Sequence, residues 1–325
     1  MTARTTRRAA LAAAVLLAAL ALQLLDVRLA ASQSATLSAR LAPEVSTSDP
    51  WDPVWERSSS LDLALSAQLV VAPRGGTRDQ LLARALHDGR RLFVLLEWRD
   101  ATEDARIDGV TAYSDAAALQ FPAASTAATP PLCMGSPTAI VNIWQWKAVW
   151  QTDARQDLTR ITTSKPRAWA DLYPNSGDAL FAPARALGNL VARPDRASPV
   201  EDLQAGQYGT LTSSREQPVG GVGVWRGGTW RVLFWRDLAS PQTGDASFGV
   251  GGAGVDAAAA LWAGSAAERD GLKAVSQFFV IRPVTLPATA DLPFWTAALI
   301  VLVPMAIFIV GMTWLARSGW TPGRA

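Results

Sequence analysis

Cysteine and histidine are nearly absent from this chain. Its 325 residues include one cysteine, Cys133, and one histidine, His87. A single cysteine excludes an intramolecular disulfide framework, a zinc site built on cysteine pairs and the C-x-x-C-H motif of covalently attached haem. A single histidine excludes bis-histidine haem ligation and a histidine-rich metal site, and it weakens the case for a hydrolase. Because His87 precedes the turn pair Asp88-Gly89, we expect it at the surface rather than in a ligand position.

The net charge is small and lysines are few. The net charge is +2 and no basic run interrupts the middle of the chain, so nucleic-acid binding is not indicated. The 30 basic residues include three lysines, Lys147, Lys165 and Lys273, and any chemistry that needs an amine has only these candidates. Lys273 is either a solvated loop residue or, if burial favours its neutral amine, a base or metal ligand. No catalytic triad, paired-carboxylate motif or metal-ligand spacing supports a stand-alone enzyme.

Methionine is rare outside the two termini. Met134 is the only methionine between the apolar segments at the ends of the chain. It follows Pro130-Pro131 in a stiff loop and precedes Gly135, and such a loop presents a thioether in a fixed direction. The alternative is a core methionine that fills an irregular gap. The residues alone leave both interpretations open.

Apolar segments occupy both ends of the chain. Residues 1–34 begin with three arginines, continue with an apolar run at 9–25 and end in small residues. This order is typical of a signal peptide, and a retained N-terminal anchor is the alternative. Residues 295–315 are continuously apolar apart from threonines, and about 20 apolar residues span a bilayer core. We therefore predict a linker and a terminal transmembrane helix over 286–316, with a buried core helix as the alternative.

Basic residues determine the predicted topology. Arg317 and Arg324 follow the C-terminal apolar run, and positively charged flanks remain on the cytoplasmic side of a membrane. Residues 317–325 are therefore expected to be a cytoplasmic tail. Residues 35–285 are then an extracytoplasmic domain on the periplasmic or outer face of the cell membrane. Its size, about 250 residues, suits one large domain or two small ones.

Short apolar runs between turn signals dominate the predicted domain. Residues 61–72 begin with the period-two alternation of a half-buried strand. Arg226-Gly227-Gly228 separates two apolar runs and predicts a hairpin. Residues 152–218 are polar, rich in proline and too long for a plain connection, so we expect short helices or a surface insertion there. Further strands are predicted at 92–98, 116–121, 140–146, 257–262 and 274–281. The fold class is therefore all-β, an antiparallel β-sandwich with short helices.

Five motifs form an ordered set along this domain. They are Asp49-Pro50-Trp51-Asp52, His87-Asp88-Gly89 with 92–100, Ala118-Leu119-Gln120-Phe121-Pro122, Cys133-Met134-Gly135 with 141–148, and Arg269-Asp270-Gly271-Leu272-Lys273. In this order the motifs resemble the haem-binding γ subunits of ethylbenzene dehydrogenase and dimethylsulfide dehydrogenase, which are molybdenum enzymes of the dimethyl sulfoxide reductase family. Each motif alone is weak, but the order and spacing are fairly specific, and the resemblance spans 49–282.

The resemblance implies a cofactor, two ligands and partners. A β-sandwich of this family holds one non-covalent b-type haem, whose iron is bound by a methionine and a lysine at positions that match Met134 and Lys273. The implied partners are an iron–sulfur β subunit and a molybdenum α subunit. The chain would relay electrons between the iron–sulfur subunit and a quinone or cytochrome, without catalysis of its own. Its C-terminal apolar span departs from the soluble members of the family.

Two alternatives accompany this interpretation. A haem-free, membrane-anchored sandwich that binds carbohydrate is the alternative function, because the 14 tryptophans could stack on sugars. Residues 152–218 are our candidate docking surface for the iron–sulfur subunit, and a lid packed on the domain's own core is the alternative for that stretch. Its apolar residues include Trp169, Leu172, Tyr173 and Phe181.

Overall fold

The computed structural model describes residues 35–68, 75–124, 130–131, 134–155, 167, 180–193 and 196–287. These residues are mostly antiparallel β-sheet with a few short helices, which confirms the predicted all-β class. The strands are β1 (Thr36–Leu41), β2 (Ser59–Ala67), β3 (Gln80–His87), β4 (Arg91–Arg99), β5 (Ala116–Pro122), β6 (Val141–Lys147), β7 (Val200–Ala205), β8 (Thr212–Ser213), β9 (Gly220–Trp225), β10 (Thr229–Asp237), β11 (Val255–Trp262), β12 (Ala274–Ser276) and β13 (Phe279–Pro287). The helices are α1 (Ala148–Arg155) and α2 (Pro183–Ala186), with short 3-10 helices at Pro53–Arg57, Leu190–Ala192 and Gly264–Ala266.

The strands form one hydrogen-bonded path that folds into two layers. In order the path runs β8-β7-β6-β5-β11-β12-β2-β3-β4-β10-β9. β11 pairs with β5 over residues 258–262 and with β13 over 255–257, so it passes from one layer to the other. β1 departs from the antiparallel pattern, because it pairs in parallel with both β13 and β3.

Tryptophans from both ends of the path meet in the main core. The ring of Trp146 on β6 lies 6.5 Å from that of Trp98 on β4 and 5.0 Å from that of Trp230 on β10, measured between centroids. On β5, Leu119 and Phe121 point into this core, whereas alternate residues point outward. The inner faces of the two layers therefore share one core, and the outer face of the β5 layer remains available for a site.

The long apolar run of β4 is buried on both faces. Its inward residues join the main core, while Phe93 and Leu95 point outward and pack against Val54 and Trp55 of the first 3-10 helix. Asp52 caps the start of that helix, and its side chain accepts a hydrogen bond from the Val54 N–H at 2.8 Å. A strand covered on both sides needs apolar residues at successive positions, which explains the continuous run.

The predicted hairpin is confirmed. Arg226 and Thr229 exchange backbone hydrogen bonds at 2.9 and 3.2 Å, and β9 and β10 pair on either side of them. Gly227 and Gly228 have φ angles of 58° and 80°, which side chains rarely tolerate, and this explains two glycines at the turn.

The predicted single strand at 274–281 is wrong. β12 ends at Ser276 and pairs with β11 and β2, whereas β13 begins at Phe279 and pairs with β1 and β11 in the other layer. A break of two residues lets the chain change layer, and the apolar pattern continues through it. The stretch 152–218 contains the expected short helices, but it also contains β7, an ordinary inner strand paired with β6 that the polar composition concealed.

The predicted surface position of His87 is also wrong. Only 2% of the residue is exposed. Its Nε2 lies 2.8 Å from the Val284 carbonyl oxygen, and its Nδ1 accepts a hydrogen bond from the Gly89 N–H at 3.1 Å. The imidazole therefore joins the β3–β4 turn to β13, because the last strand folds back over this turn.

The predicted terminal segments lie outside the described residues. This applies to the signal or anchor at 1–34, to the apolar run at 295–315 and to the tail at 317–325. Among the helices of the described part of the chain, none has the length and apolar character needed to cross a membrane. Cys133 and Lys165 also lie outside the described residues.

Candidate functional site

An apolar cleft lies on the outward face of β5, β6 and β11. Its floor includes Ala118, Ile143, Ala258 and Ala260, which alternate with core residues on the same strands. The strand register places Ala260 opposite Ala118. Because alanine side chains are short, they leave space at this face that larger outward residues would fill.

Met134 lies at one side of the cleft in an unusual backbone conformation. Its φ angle is 70°, a value that costs a residue with a side chain on the order of 1–3 kcal/mol. Gly135 follows with φ 80°, and a Cβ atom there would lie 2.6 Å from the Ala139 carbonyl oxygen. The Pro131 carbonyl accepts hydrogen bonds from the Gly135 N–H at 3.2 Å and from Gln120 Nε2 at 3.4 Å. The loop is thus held in a strained form that brings the thioether to the cleft.

Lys273 also lines the cleft, at the position before β12. Its Nζ lies 5.0 Å from the ring centroid of Trp262, a distance typical of a cation–π contact. The Lys273 carbonyl accepts a hydrogen bond from the Gln68 N–H at 3.1 Å. The preceding turn passes through Asp270, whose φ angle is 51° and whose carbonyl accepts a hydrogen bond from Trp262 Nε1 at 3.0 Å. The turn and the lysine are therefore anchored to the end of β11.

The two residues singled out by their scarcity line the same cleft. Met134 approaches from the β5–β6 connection and Lys273 from the β11–β12 connection. Lys147 is occupied elsewhere, because its Nζ forms an ion pair with Glu201 and lies 3.9 Å from the Trp150 ring centroid. Burial lowers the pKa of Lys147. A thioether and an amine above an apolar floor can bind an iron centre carried by a flat, largely apolar ligand.

One protein family matches more than half of the chain. Residues 52–274 match the profile of the family described as Ethylbenzene dehydrogenase, and both Met134 and Lys273 lie within the match. The chain belongs to this family.

Three relatives of this ethylbenzene dehydrogenase family member are named as subunits of larger enzymes. A Haloferax mediterranei protein named as a respiratory nitrate reductase heme subunit is 27% identical over 95% of this chain and 97% of its own length. The chlorate reductase subunit gamma of Ideonella dechloratans is 26% identical over 70% of this chain and 75% of its own. The dimethylsulfide dehydrogenase subunit gamma of Rhodovulum sulfidophilum is 27% identical over 75% and 78%, respectively.

Likeness to solved structures is weak. A family 9 carbohydrate-binding module from Caldicellulosiruptor kristjanssonii, in complex with cellotriose, aligns over 79% of this chain and 95% of its own. The identity is 8% and the TM-score is 0.36, values too low to support a conclusion about the ligand.

Two buried aspartates belong to the layer of strands that carries the cleft, one next to β5 and one on β7. Asp115, just before β5, accepts hydrogen bonds from Trp230 Nε1, the Asp104 N–H and the Gly264 N–H, each at 2.9 Å. Asp202 on β7 accepts a hydrogen bond from Asn142. Burial raises the pKa of each carboxyl to about 7, and the negative charge of Asp245 contributes at Asp202. The face opposite the cleft therefore carries groups that titrate near neutral pH.

The floor and the supports of this cleft were not predicted from the sequence. Ala118 and Gln120 lie within one of the quoted motifs, and their outward direction follows from the alternation on β5. Trp262 closes the predicted strand 257–262, but nothing in the sequence shows that its ring lies beside Lys273. Strand alternation shows which residues point outward. Which outward residues face each other across the cleft depends on the order in which the strands pair.

Proposed function

We propose that this protein is an electron-transfer subunit that holds one non-covalent b-type haem between Met134 and Lys273. The observation that carries the proposal is that a rare methionine in strained backbone and a rare lysine line one apolar cleft. Backbone strain of this kind persists where the surrounding structure enforces it, and it concentrates at functional sites. The absence of C-x-x-C-H from the sequence favours non-covalent attachment.

The cleft residues suit this cofactor by their chemistry. Methionine sulfur is a soft ligand that favours reduced iron, and the lysine amine binds iron when it is neutral. The alanines of the floor let a flat ring lie close to the sheet, and Ile143 and Val275 add apolar contacts. No charged side chain other than Lys273 lines the described part of the cleft, so an apolar macrocycle is not opposed by buried charge.

The proposed function would follow from two iron ligands that the chain itself supplies. When bound, the haem supplies reversible one-electron chemistry at its iron. Met134 and Lys273 would together hold the haem iron, so oxygen or a substrate would find no free site on it. The chain's own residues hold, bury and tune the cofactor, and catalysis belongs to other subunits.

We further propose that the chain works beside an iron–sulfur β subunit and a molybdenum α subunit. The relatives named above are subunits of a nitrate reductase, a chlorate reductase and a dimethylsulfide dehydrogenase, which supports such a complex. Iron–sulfur clusters need several cysteines, and this chain has one, so the cluster must lie on another polypeptide. The electrons would pass between that cluster and a quinone or cytochrome.

The stretch 152–218 is the proposed docking surface for the iron–sulfur subunit. Leu180, Phe181 and Leu187 are 87%, 56% and 87% exposed, and such apolar side chains favour burial against a partner. Trp169, Leu172 and Tyr173 lie outside the described residues. A lid packed on the domain's own core remains the alternative for the stretch, and co-purification of partner subunits distinguishes the two.

The proposed localisation is the cell membrane, with the domain outside the cytoplasm and the C-terminal end inside. It rests on the apolar run at 295–315 and on the arginines beyond it. A reporter fused after Ala325 should be active only in the cytoplasm, and one fused after Pro287 only outside. The reverse pattern would contradict this topology.

Purification of the full chain in mild detergent tests the proposed function. The protein made with an adequate haem supply should show a low-spin haem spectrum, and acidified organic solvent should extract the haem. When the chain is isolated at native levels, molybdenum and non-haem iron should co-purify with it. A folded but colourless protein would contradict the haem proposal and favour the carbohydrate-binding alternative. Recovery of the haem protein alone would contradict the partners.

A further inference from the structure

Glu268 is a buried carboxylate five residues before Lys273. It is not one of the two proposed iron ligands. Only 3% of the residue is exposed. Its Oε1 accepts hydrogen bonds from the backbone N–H groups of Gly76 and Thr77, at 2.6 and 2.7 Å. Its Oε2 accepts a hydrogen bond from the Ala263 N–H at 2.9 Å. A carboxylate that accepts three N–H groups away from water is a strong, directional anchor.

The three donors lie on two separate parts of the chain. Ala263 directly follows β11, Gly76 and Thr77 lie in the segment before β3, and Glu268 begins the turn that leads to Lys273. The Glu268 N–H also donates to the Ala263 carbonyl at 3.1 Å. Glu268 therefore joins the end of β11, the 75–77 segment and the lysine turn at one point.

The 75–77 segment supports the backbone of the lysine directly. Gly75 lies so close that a Cβ atom on it would overlap the Leu272 carbonyl carbon and the Lys273 nitrogen. A segment in such close contact with the Lys273 backbone determines where the lysine side chain begins. The bonds from Gly76 and Thr77 to Glu268 hold this segment in place.

We propose that Glu268 is the positioning residue for Lys273, holding its backbone so that the amine meets the cofactor iron. The inference rests on the proposed function and extends it, because Glu268 is not among the described residues that line the cleft. Its carboxylate tethers the segment beneath the lysine and the turn before it. The amine then arrives at a fixed position without the conformational search that a long, flexible side chain on a loose loop would need.

The expected defect is specific to the lysine side. In Glu268→Gln the amide oxygen can still accept two N–H groups, but the amide nitrogen then faces a third donor. In Glu268→Ala all three N–H groups lose their acceptor. We therefore expect the bond between Lys273 and the iron to weaken in Glu268→Gln and to weaken further in Glu268→Ala. The bond between Met134 and the iron should be retained. Residues that orient a metal ligand typically contribute about 10–100-fold to metal affinity.

The test compares full-length haem protein of the wild type, Glu268→Gln, Glu268→Ala and Lys273→Ala. Glu201→Gln is the matched control, because Glu201 is also buried and accepts bonds from Lys147 and Ser213, away from the lysine turn. Two quantities are measured, the low-spin fraction in the oxidised spectrum and the binding of added imidazole. Both Glu268 variants should lose low-spin haem and bind imidazole as Lys273→Ala does, with at least about 10-fold weaker haem retention. Glu201→Gln should match the wild type.

The outcomes separate this inference from the proposed function. Wild-type spectra in both Glu268 variants, beside an altered spectrum in Lys273→Ala, would overturn the positioning role and leave the proposed function standing. An equal response in Glu201→Gln would also overturn it, since the effect would then follow from loss of any buried carboxylate. A wild-type protein without haem would end both proposals. If Glu268→Ala does not fold, Glu268→Gln decides, and if neither folds, Gly75→Ala, which displaces the Lys273 backbone, takes its place.

Discussion

The two sides of the cleft are built in different ways. The methionine side (Pro131 and residues 134–139) is held mainly by near neighbours, such as the bond from the Gly135 N–H to the Pro131 carbonyl and the pairing of Ser136 with Ala139. The lysine side (residues 263–273) depends on distant parts of the chain, since Glu268 binds Gly76, which is 192 positions away. One ligand is thus directed by local backbone geometry and the other by tertiary contacts. Disturbing each side should therefore have different consequences.

Removal of the ligands should have the largest effect. Met134→Ala and Lys273→Ala should each disturb the low-spin spectrum, because each removes one of the two groups that would hold the iron, and the double variant should lose haem. Lys147→Ala should keep the wild-type spectrum, since Lys147 pairs with Glu201 away from the cleft. Absorption spectra of the purified proteins measure this. His87 is not assigned as a ligand, because its ring nitrogens meet the Val284 carbonyl and the Gly89 N–H. If His87→Ala proved the disruptive change in a folded protein, this ligand assignment would be wrong.

A methyl group added at Gly135 should destabilise the methionine side of the cleft. Gly135→Ala places a Cβ 2.6 Å from the Ala139 carbonyl oxygen in backbone with φ 80°, and we expect a loss of stability on the order of 3 kcal/mol. Gly188→Ala is the matched control, since Gly188 has φ 76° but no atom within 4 Å of an added Cβ. Denaturant unfolding and haem content are the measurements. Equal losses in the two variants would show that close packing of the loop contributes little.

The buried aspartates should make the stability of the protein depend on pH near both sides of the cleft. Burial raises the pKa of Asp202 from 3.8 to about 7, so between about pH 4 and pH 7 the folded state holds a proton that the unfolded state has released. The stability from this group is therefore present at low pH and is lost as the pH rises towards 7. Asp202→Asn should remove about 2 kcal/mol of the decline between pH 5 and pH 7.

Asp115→Asn provides the matching test beside the lysine side. Asp115 accepts the Gly264 N–H near that side, whereas Asp202 lies on β7, next to Leu203 beneath the methionine side. Chemical denaturation at several pH values measures both variants. If the wild-type stability rises between pH 5 and pH 7 and neither variant alters the slope, these carboxyls do not hold the extra protons.

The smallest expected effect lies at Trp262. Trp262→Phe keeps an aromatic ring beside Lys273 but removes the bond from Nε1 to the Asp270 carbonyl. Loss of one such bond should cost about 1 kcal/mol, or a few-fold in haem affinity. Haem transfer to an apo-acceptor protein measures the affinity. A loss as large as that of Lys273→Ala would mean that the bond from Trp262 to the Asp270 carbonyl, and not Glu268, chiefly positions the lysine.

Much of the sheet could be predicted because its signals are local. Period-two alternation predicted β2, a short apolar run predicted β5, and the two glycines at 227–228 predicted the β9–β10 hairpin. β7 was missed because its inward positions include polar residues that are satisfied by partners elsewhere: Asn142 donates to Asp202, and the Asp202 N–H donates to Gln217. The change of layer between β12 and β13 was missed for a related reason, since hydrophobicity does not report which neighbour a strand will pair with.

The sequence by itself determined the all-β class, the scarcity of candidate ligands and the stiff loop around Met134, because composition, alternation and Pro-Pro and Met-Gly steps act over a few residues. Only the tertiary structure decided that Lys273 and Met134 line one cleft, that His87 is buried and that Glu268 holds the lysine turn. Each of these depends on which strands become neighbours. Strands become neighbours because their apolar faces are buried in one common core. The core is formed by the whole chain, so no short segment of sequence predicts the pairing order.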